Sequence, residues 1–224
     1  MSFFDFFRRK PAPKPPFDIE KVRPHIWKGR NSPQNRSPGK SNIDKGLDIR
    51  RHFYNERGFQ CYASFFAYWD GWISAGHCLT DSHDLLPPFA KDDLNSWPGG
   101  LDAALMGCRL PDKKPEAPII GQRVIMKAFP AGCRTLETRR GHVYIERGAG
   151  SGTWIAHIET PDEPVVTGMS GGPVVDADSG EPIGIIITRN SPADLNNDRD
   201  PDESCDFIAL SAVWEAVKRH QNIV

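Results

Sequence analysis

Three short segments carry residue types that can perform acyl transfer. SAGHC (Ser74 to Cys78) presents a histidine, LDAAL (Leu101 to Leu105) an aspartate, and TGMSGGP (Thr167 to Pro173) a serine among glycines. A serine hydroxyl is a poor nucleophile at neutral pH, so it needs a base within hydrogen-bond reach. The base in turn needs a carboxylate that fixes its tautomer and stabilises the imidazolium. Ser170, His77 and Asp102 fit these roles of nucleophile, base and orienter. The glycines permit a tight loop in which the N–H groups of Gly168 and Ser170 converge on one oxyanion, and Gly171 and Gly172 leave room for a substrate backbone.

Other polar groups read as structure or solvent. His83 lies near Asp81, Asp84 and Cys78, but no pair has the spacing of a structural zinc site, so a solvated loop is expected. His142 and His157 fall in expected strands as hydrogen-bonded or surface residues. Asp194, Asn196, Asp198 and Asp200 mimic the first alternating ligands of a calcium loop. Its sixth position is Arg199 and its twelfth Cys205, where that loop requires glycine and glutamate. A charged loop is expected there, a weak cation site being the alternative. Neither a metal nor a cofactor is required.

The elements that must position these residues are short strands. Cys61 to Leu79 has the length of a membrane span, but the Asp70-Gly71 dipeptide inside it is a strong two-residue hairpin signal, so the stretch reads as two strands. Further strands are expected at Leu101 to Cys108, Gln122 to Phe129, His142 to Glu146, Thr153 to Ile158, Gly172 to Val175, Ile183 to Thr188 and Phe207 to Leu210. Gly, Pro or Asp clusters separate them, and no helices alternate with them, which argues for an all-β barrel or sandwich. A helix is expected over 211–220, with Val213 and Val217 on its apolar face and Ser211 as its N-cap.

The three motifs in the order His, Asp, Ser resemble those of chymotrypsin-fold serine peptidases. The resemblance spans residues 60–224. It implies two antiparallel six-stranded β-barrels with a C-terminal helix: an N-terminal barrel over about 46–115 and a C-terminal barrel over about 116–210. It also implies serine endopeptidase activity on a polypeptide substrate, through an acyl-enzyme. Met169 stands where the zymogen-derived digestive enzymes carry an aspartate that pairs with a new N-terminus. The pattern, including GQRVIMKAFPAG from Gly121, is therefore closer to the bacterial and viral-type trypsin-like peptidases without a PDZ domain. By register with the family, the primary pocket has its floor at Pro164 and Val165 and a wall of Ile187, Thr188 and Arg189. No acidic residue lies at that floor, so a Lys or Arg preference is not supported, and acidic or small apolar side chains remain open. The resemblance also suggests a disulfide between Cys61 and Cys78. Against the peptidase stand a catalytically silent binding or scaffold module of the same fold and an esterase using the same triad.

Composition agrees with a folded body. The 224 residues are 38% hydrophobic and 25% charged, as in ordinary globular proteins. The net charge of −1 conceals an asymmetry, because residues 1–45 hold 11 Lys/Arg against 4 Asp/Glu, leaving 17 against 25 for the rest. That basic, proline-rich arm reads as extended or disordered. Its start, MSFFDFFRRK, lacks the order of a secretory signal peptide, so a cytoplasmic protein is expected. Phe3, Phe4 and Phe7 beside Arg8, Arg9 and Lys10 would suit weak contact with a membrane surface through residues 1–10, the alternative to a frayed start. After Phe17 the arm has Trp27 as its one aromatic residue, so nucleic acid is not an expected partner. Five cysteines cannot all pair within one chain, and a reducing compartment would keep them as thiols.

Overall fold

The structure, a computed structural model, describes residues 47–56, 59–79, 94–159, 165–190 and 204–221. The N-terminal arm, the cluster around His83 and the acidic loop over 194–200 lie outside them.

Five antiparallel strands form the first sheet: β1 (Ile49–Glu56), β2 (Phe59–Tyr68), β3 (Gly71–Ser74), β4 (Leu94–Ser96) and β5 (Ala104–Met106), in the order β1-β2-β3-β5-β4. The second unit is a closed barrel of β6 (Arg123–Ala128), β7 (Glu137–Glu146), β8 (Thr153–Ile158), β9 (Pro173–Asp176), β10 (Pro182–Asn190) and β11 (Ser204–Ala209), in the order β10-β11-β8-β7-β6-β9. Helix α1 (Leu210–Gln221) follows β11 without a break. The fold is the chymotrypsin-like all-β fold with a C-terminal helix. Among the described residues, five strands rather than six build the first sheet.

The hairpin between β2 and β3 forms, but its loop is Trp69-Asp70 rather than Asp70-Gly71. Both loop residues have positive φ, 52° and 59°. Register decides the shift: Phe66 opposes Ile73 and both are fully buried, and a one-residue slip would turn each strand inside out. Gly71 instead opens β3 against the neighbouring strand, where a Cβ would lie 2.5 Å from the Met106 carbonyl oxygen.

Two charged segments become strands because their arginines find partners. In β1, Arg50 donates to Asp48 at 2.7 Å and lies 4.6 Å from the centre of the Trp72 ring. In β7, Arg139 is buried and pairs with Glu137 at 2.6 Å, extending the strand five residues before His142. The expected strand at Leu101 to Cys108 shortens to the three residues of β5, because Leu101 to Ala103 form a tight turn in which the Ala103 N–H donates to the Leu101 carbonyl at 2.7 Å. Ser211 is not the N-cap, since β11 runs straight into α1 and places Ser211 inside its first turn.

One core cluster joins Ile49, Ala63, Phe66 and Ile73 of the first sheet to Ile185 and Ile208 of the barrel and to Leu210, Val213 and Val217 of α1. Burying each large side chain of this kind contributes about 1.5–3 kcal/mol. A second cluster, with Val124, Met126, Val174, Ile186 and Phe207, fills the barrel. No helix among the described residues is long and apolar enough to cross a membrane.

Candidate active site

His77 sits in a single 3-10 turn, Gly76–Cys78, directly after β3. Asp102 sits on the tight turn before β5. The carboxylate holds the histidine at two points: Oδ2 lies 2.7 Å from Nδ1 of the ring, and Oδ1 accepts the His77 main-chain N–H at 2.8 Å. A carboxylate facing Nδ1 selects the tautomer with its proton there. The side chains are 34% and 21% exposed, so the pair is sheltered yet reachable. Gly76 allows this approach, for a Cβ on it would stand 2.9 Å from the Trp97 ring and 3.1 Å from Asp102 Oδ1. Behind the Asp102 loop lies α1, whose Ala216 Cβ would be 3.0 Å from a Cβ at Gly99.

Ser170 lies on the loop that precedes β9. Its Oγ donates to the Ile187 carbonyl of β10 at 3.2 Å, which brings an expected wall residue of the pocket beside the expected nucleophile. Each peptide of this loop is held by its carbonyl. Thr167 C=O accepts from Ala131 N–H at 2.7 Å, Gly168 C=O from Ser64 Oγ at 3.2 Å, and Met169 C=O from Gly172 N–H at 3.1 Å. In a trans peptide the N–H points opposite to the C=O, so the Thr167 and Met169 bonds also aim the Gly168 and Ser170 N–H groups away from their anchors, while the Gly168 bond holds the peptide between them, whose Met169 N–H donates to the Val166 carbonyl at 3.1 Å. Gly168 has φ +95°, and a Cβ there would lie 2.4 Å from Ala131 N.

The serine loop and the histidine turn meet at β2. The Ser64 N–H donates to the Ser170 carbonyl at 2.8 Å, and the Ser64 carbonyl accepts from Ser74 Oγ at 2.8 Å. Both serines are fully buried. A Cβ on Gly171 would lie 2.1 Å from the Ser64 carbonyl oxygen, 2.3 Å from Ser74 Oγ and 3.1 Å from Ala75 N, so the residue after Ser170 packs against the segment that ends two residues before His77. Neither Ser64 nor Ser74 was expected as a site residue. The available signal was a pair of serines at inward strand positions inside an apolar run.

The remaining expected residues divide. Val165 is buried in the barrel core, Ile187 is half-buried and Thr188 is exposed. Pro164 and the Arg189 side chain lie outside the described residues. His142 and His157 oppose each other across β7 and β8, with ring centroids 5.8 Å apart. Cys61 and Cys78, the pair for which the resemblance suggests a disulfide, belong to one core cluster, Cys78 buried in it and Cys61 half-buried against it.

No protein-family model matches the chain, and no curated protein matches it. Solved structures do. The active form of the Rv3671c protease from M. tuberculosis is 14% identical with a TM-score of 0.54, over 84% of this chain and 93% of that one. HL collagenase is 12% identical with a TM-score of 0.52, over 79% and 93%. Human heparin binding protein is 10% identical with a TM-score of 0.54, over 84% and 95%. At such identities the likeness is one of fold, that of the trypsin-like serine proteases.

Proposed function

We propose that the chain is a serine endopeptidase that cleaves polypeptides through an acyl-enzyme on Ser170. The observation that carries this reading is the two-point grip of Asp102 on His77, 2.7 Å at Nδ1 and 2.8 Å at the main-chain N–H, which a scaffold alone would not need.

With the Nδ1 proton on the Asp102 side, Nε2 is the basic nitrogen and takes the Ser170 proton as Oγ attacks the scissile carbonyl. The negative charge that forms on the carbonyl oxygen is met by the Gly168 and Ser170 N–H groups. Such preorganised donors are worth about 10²–10³ in rate apiece. His77 then gives its proton to the leaving amine, the peptide bond breaks and an ester to Ser170 remains. A water, deprotonated by His77 in the same way, hydrolyses that ester and returns the proton to Oγ. Asp102 stays ionised throughout. Ile187, Thr188 and Arg189 would flank the side chain before the scissile bond, with Val165 and Pro164 beneath it.

A silent binding module is the second reading. One similar structure is named for binding rather than cleavage, and the Ser170 hydroxyl is directed at the Ile187 carbonyl. Hydroxyl rotors turn readily and catalytic hydrogen bonds tighten on substrate binding, so this orientation is compatible with the peptidase. Cleavage-site profiling on a proteome-derived peptide library decides. The peptidase reading expects amide cleavage with one recurring side-chain preference, abolished by Ser170→Ala. Ester turnover alone would favour the esterase, and no turnover at all would favour the binding module.

A further inference from the structure

The loop carrying Ser170 has no charge at residue 169 to hold it. Met169 is fully buried among apolar barrel residues, and its sulfur accepts the Val166 N–H at 3.4 Å. Something else must fix the orientation of the loop's peptides. Of the three carbonyl anchors, two are main-chain bonds made by the loop itself or its neighbour at Ala131. The third is a side chain from the other sheet, Ser64 of β2.

We propose that Ser64 is a positioning residue for the oxyanion-binding loop, its hydroxyl clamping the Gly168 carbonyl so that the loop is ordered before substrate arrives. The inference rests on the peptidase reading. Ser64 commits every polar group it has to this junction. Its hydroxyl accepts the Phe129 N–H at 2.9 Å and donates to Gly168 C=O at 3.2 Å. The Phe129 N–H occupies a lone pair of Oγ, so the single hydroxyl proton is directed to Gly168. Its N–H donates to Ser170 C=O, and its carbonyl takes the Ser74 hydroxyl. Ser64 and Gly168 are both buried, so water does not readily take the place of a lost hydroxyl between them. Removing the hydroxyl leaves the Gly168 carbonyl unsatisfied, and the peptide joining Gly168 to Met169, then anchored through its N–H to the Val166 carbonyl at 3.1 Å but no longer at its oxygen, gains a reason to rotate. Rotation there moves both N–H groups that flank it in the loop. Ser64 itself touches no reacting atom.

The test is the rate constant for acylation of Ser170 by a fluorophosphonate, followed with the labelled fraction, in the full-length protein. Ser64→Ala should lower the rate constant about tenfold or more while nearly all molecules still label. Its pH profile should be unchanged, because the His77–Asp102 pair is untouched. A purely structural role would do the reverse, lowering the labelled fraction at an unaltered rate constant, and would overturn the proposal. Should Ser64→Ala not fold, Ser64→Cys keeps the volume with a weaker donor; it should label at a reduced rate constant, and labelling at the wild-type rate constant would overturn the proposal. A wild type that never labels overturns the peptidase reading and this one with it. A wild type that labels alongside an equally fast Ser64→Ala overturns this one alone.

Discussion

Asp102 accepts both the ring and the main-chain N–H of His77, at 2.7 Å and 2.8 Å, so one carboxylate fixes the tautomer of the imidazole and the position of the turn that carries it. The two functions separate in Asp102→Asn. The amide oxygen can still accept the main-chain N–H, but the amide nitrogen then faces Nδ1 as a donor and forces the ring proton to Nε2. The fold should survive with little change in melting temperature, whereas kcat should fall by about 10⁴. Parallel thermal melts and peptide hydrolysis rates check this, and near-normal turnover would remove Asp102 from the role.

Gly171 is the tightest contact between the serine loop and the first sheet. It combines φ +83° with a Cβ position 2.1 Å from a main-chain oxygen that cannot move without β2. Gly171→Ala should therefore destabilise the protein by about 2–5 kcal/mol, from left-handed strain and overpacking together. Urea unfolding of the variant measures it. A loss under about 1 kcal/mol would show that the seam yields.

Much of this arrangement was legible in the residues. The three motifs pointed to the histidine, aspartate and serine, and short β-prone runs bounded by Gly, Pro or Asp clusters located β2, β6, β8 and β10 to within a few residues. What was not legible depends on contacts that the local pattern does not mark. The β1 and β7 segments carry arginines that look like solvent residues until Asp48, Trp72 and Glu137 pair with them. The hairpin loop was displaced by one residue because burial of Phe66 opposite Ile73, rather than the Asp-Gly dipeptide, sets the register. Ser64 and Ser74 were hidden for a similar reason. A serine inside an apolar run has no local mark of function, and the partners of Ser64 at Gly168 and Ser170 lie about a hundred residues away, while Ser74 reaches the site through Ser64.

Cys108 offers a pH test independent of catalysis. Burial, with the charge of Asp70 adding to it, pushes its thiol from 9.0 up to about 12, and its S–H donates to the Trp72 carbonyl at 3.3 Å. A raised pKa means the folded state keeps a proton that the unfolded state loses. The contribution to stability is therefore fully present below about pH 9 and is lost as pH rises from 9 through about 12. Tyr68, raised by burial and by Glu181, acts in the same direction. Urea midpoints of wild type should fall more steeply above pH 9 than those of Cys108→Ala. At pH 8 iodoacetamide should leave Cys108 unmodified in the folded protein and alkylate it in urea. Rapid native alkylation would contradict the assignment.

The central claim, that Ser170 is an activated nucleophile, is tested most directly by intact-protein mass spectrometry after treatment with a fluorophosphonate, followed by localisation of the adduct. The account predicts one adduct per chain, on the peptide bearing Ser170, and none in Ser170→Ala or His77→Ala. Wild type that stays unmodified, or an adduct that persists in Ser170→Ala, would contradict it.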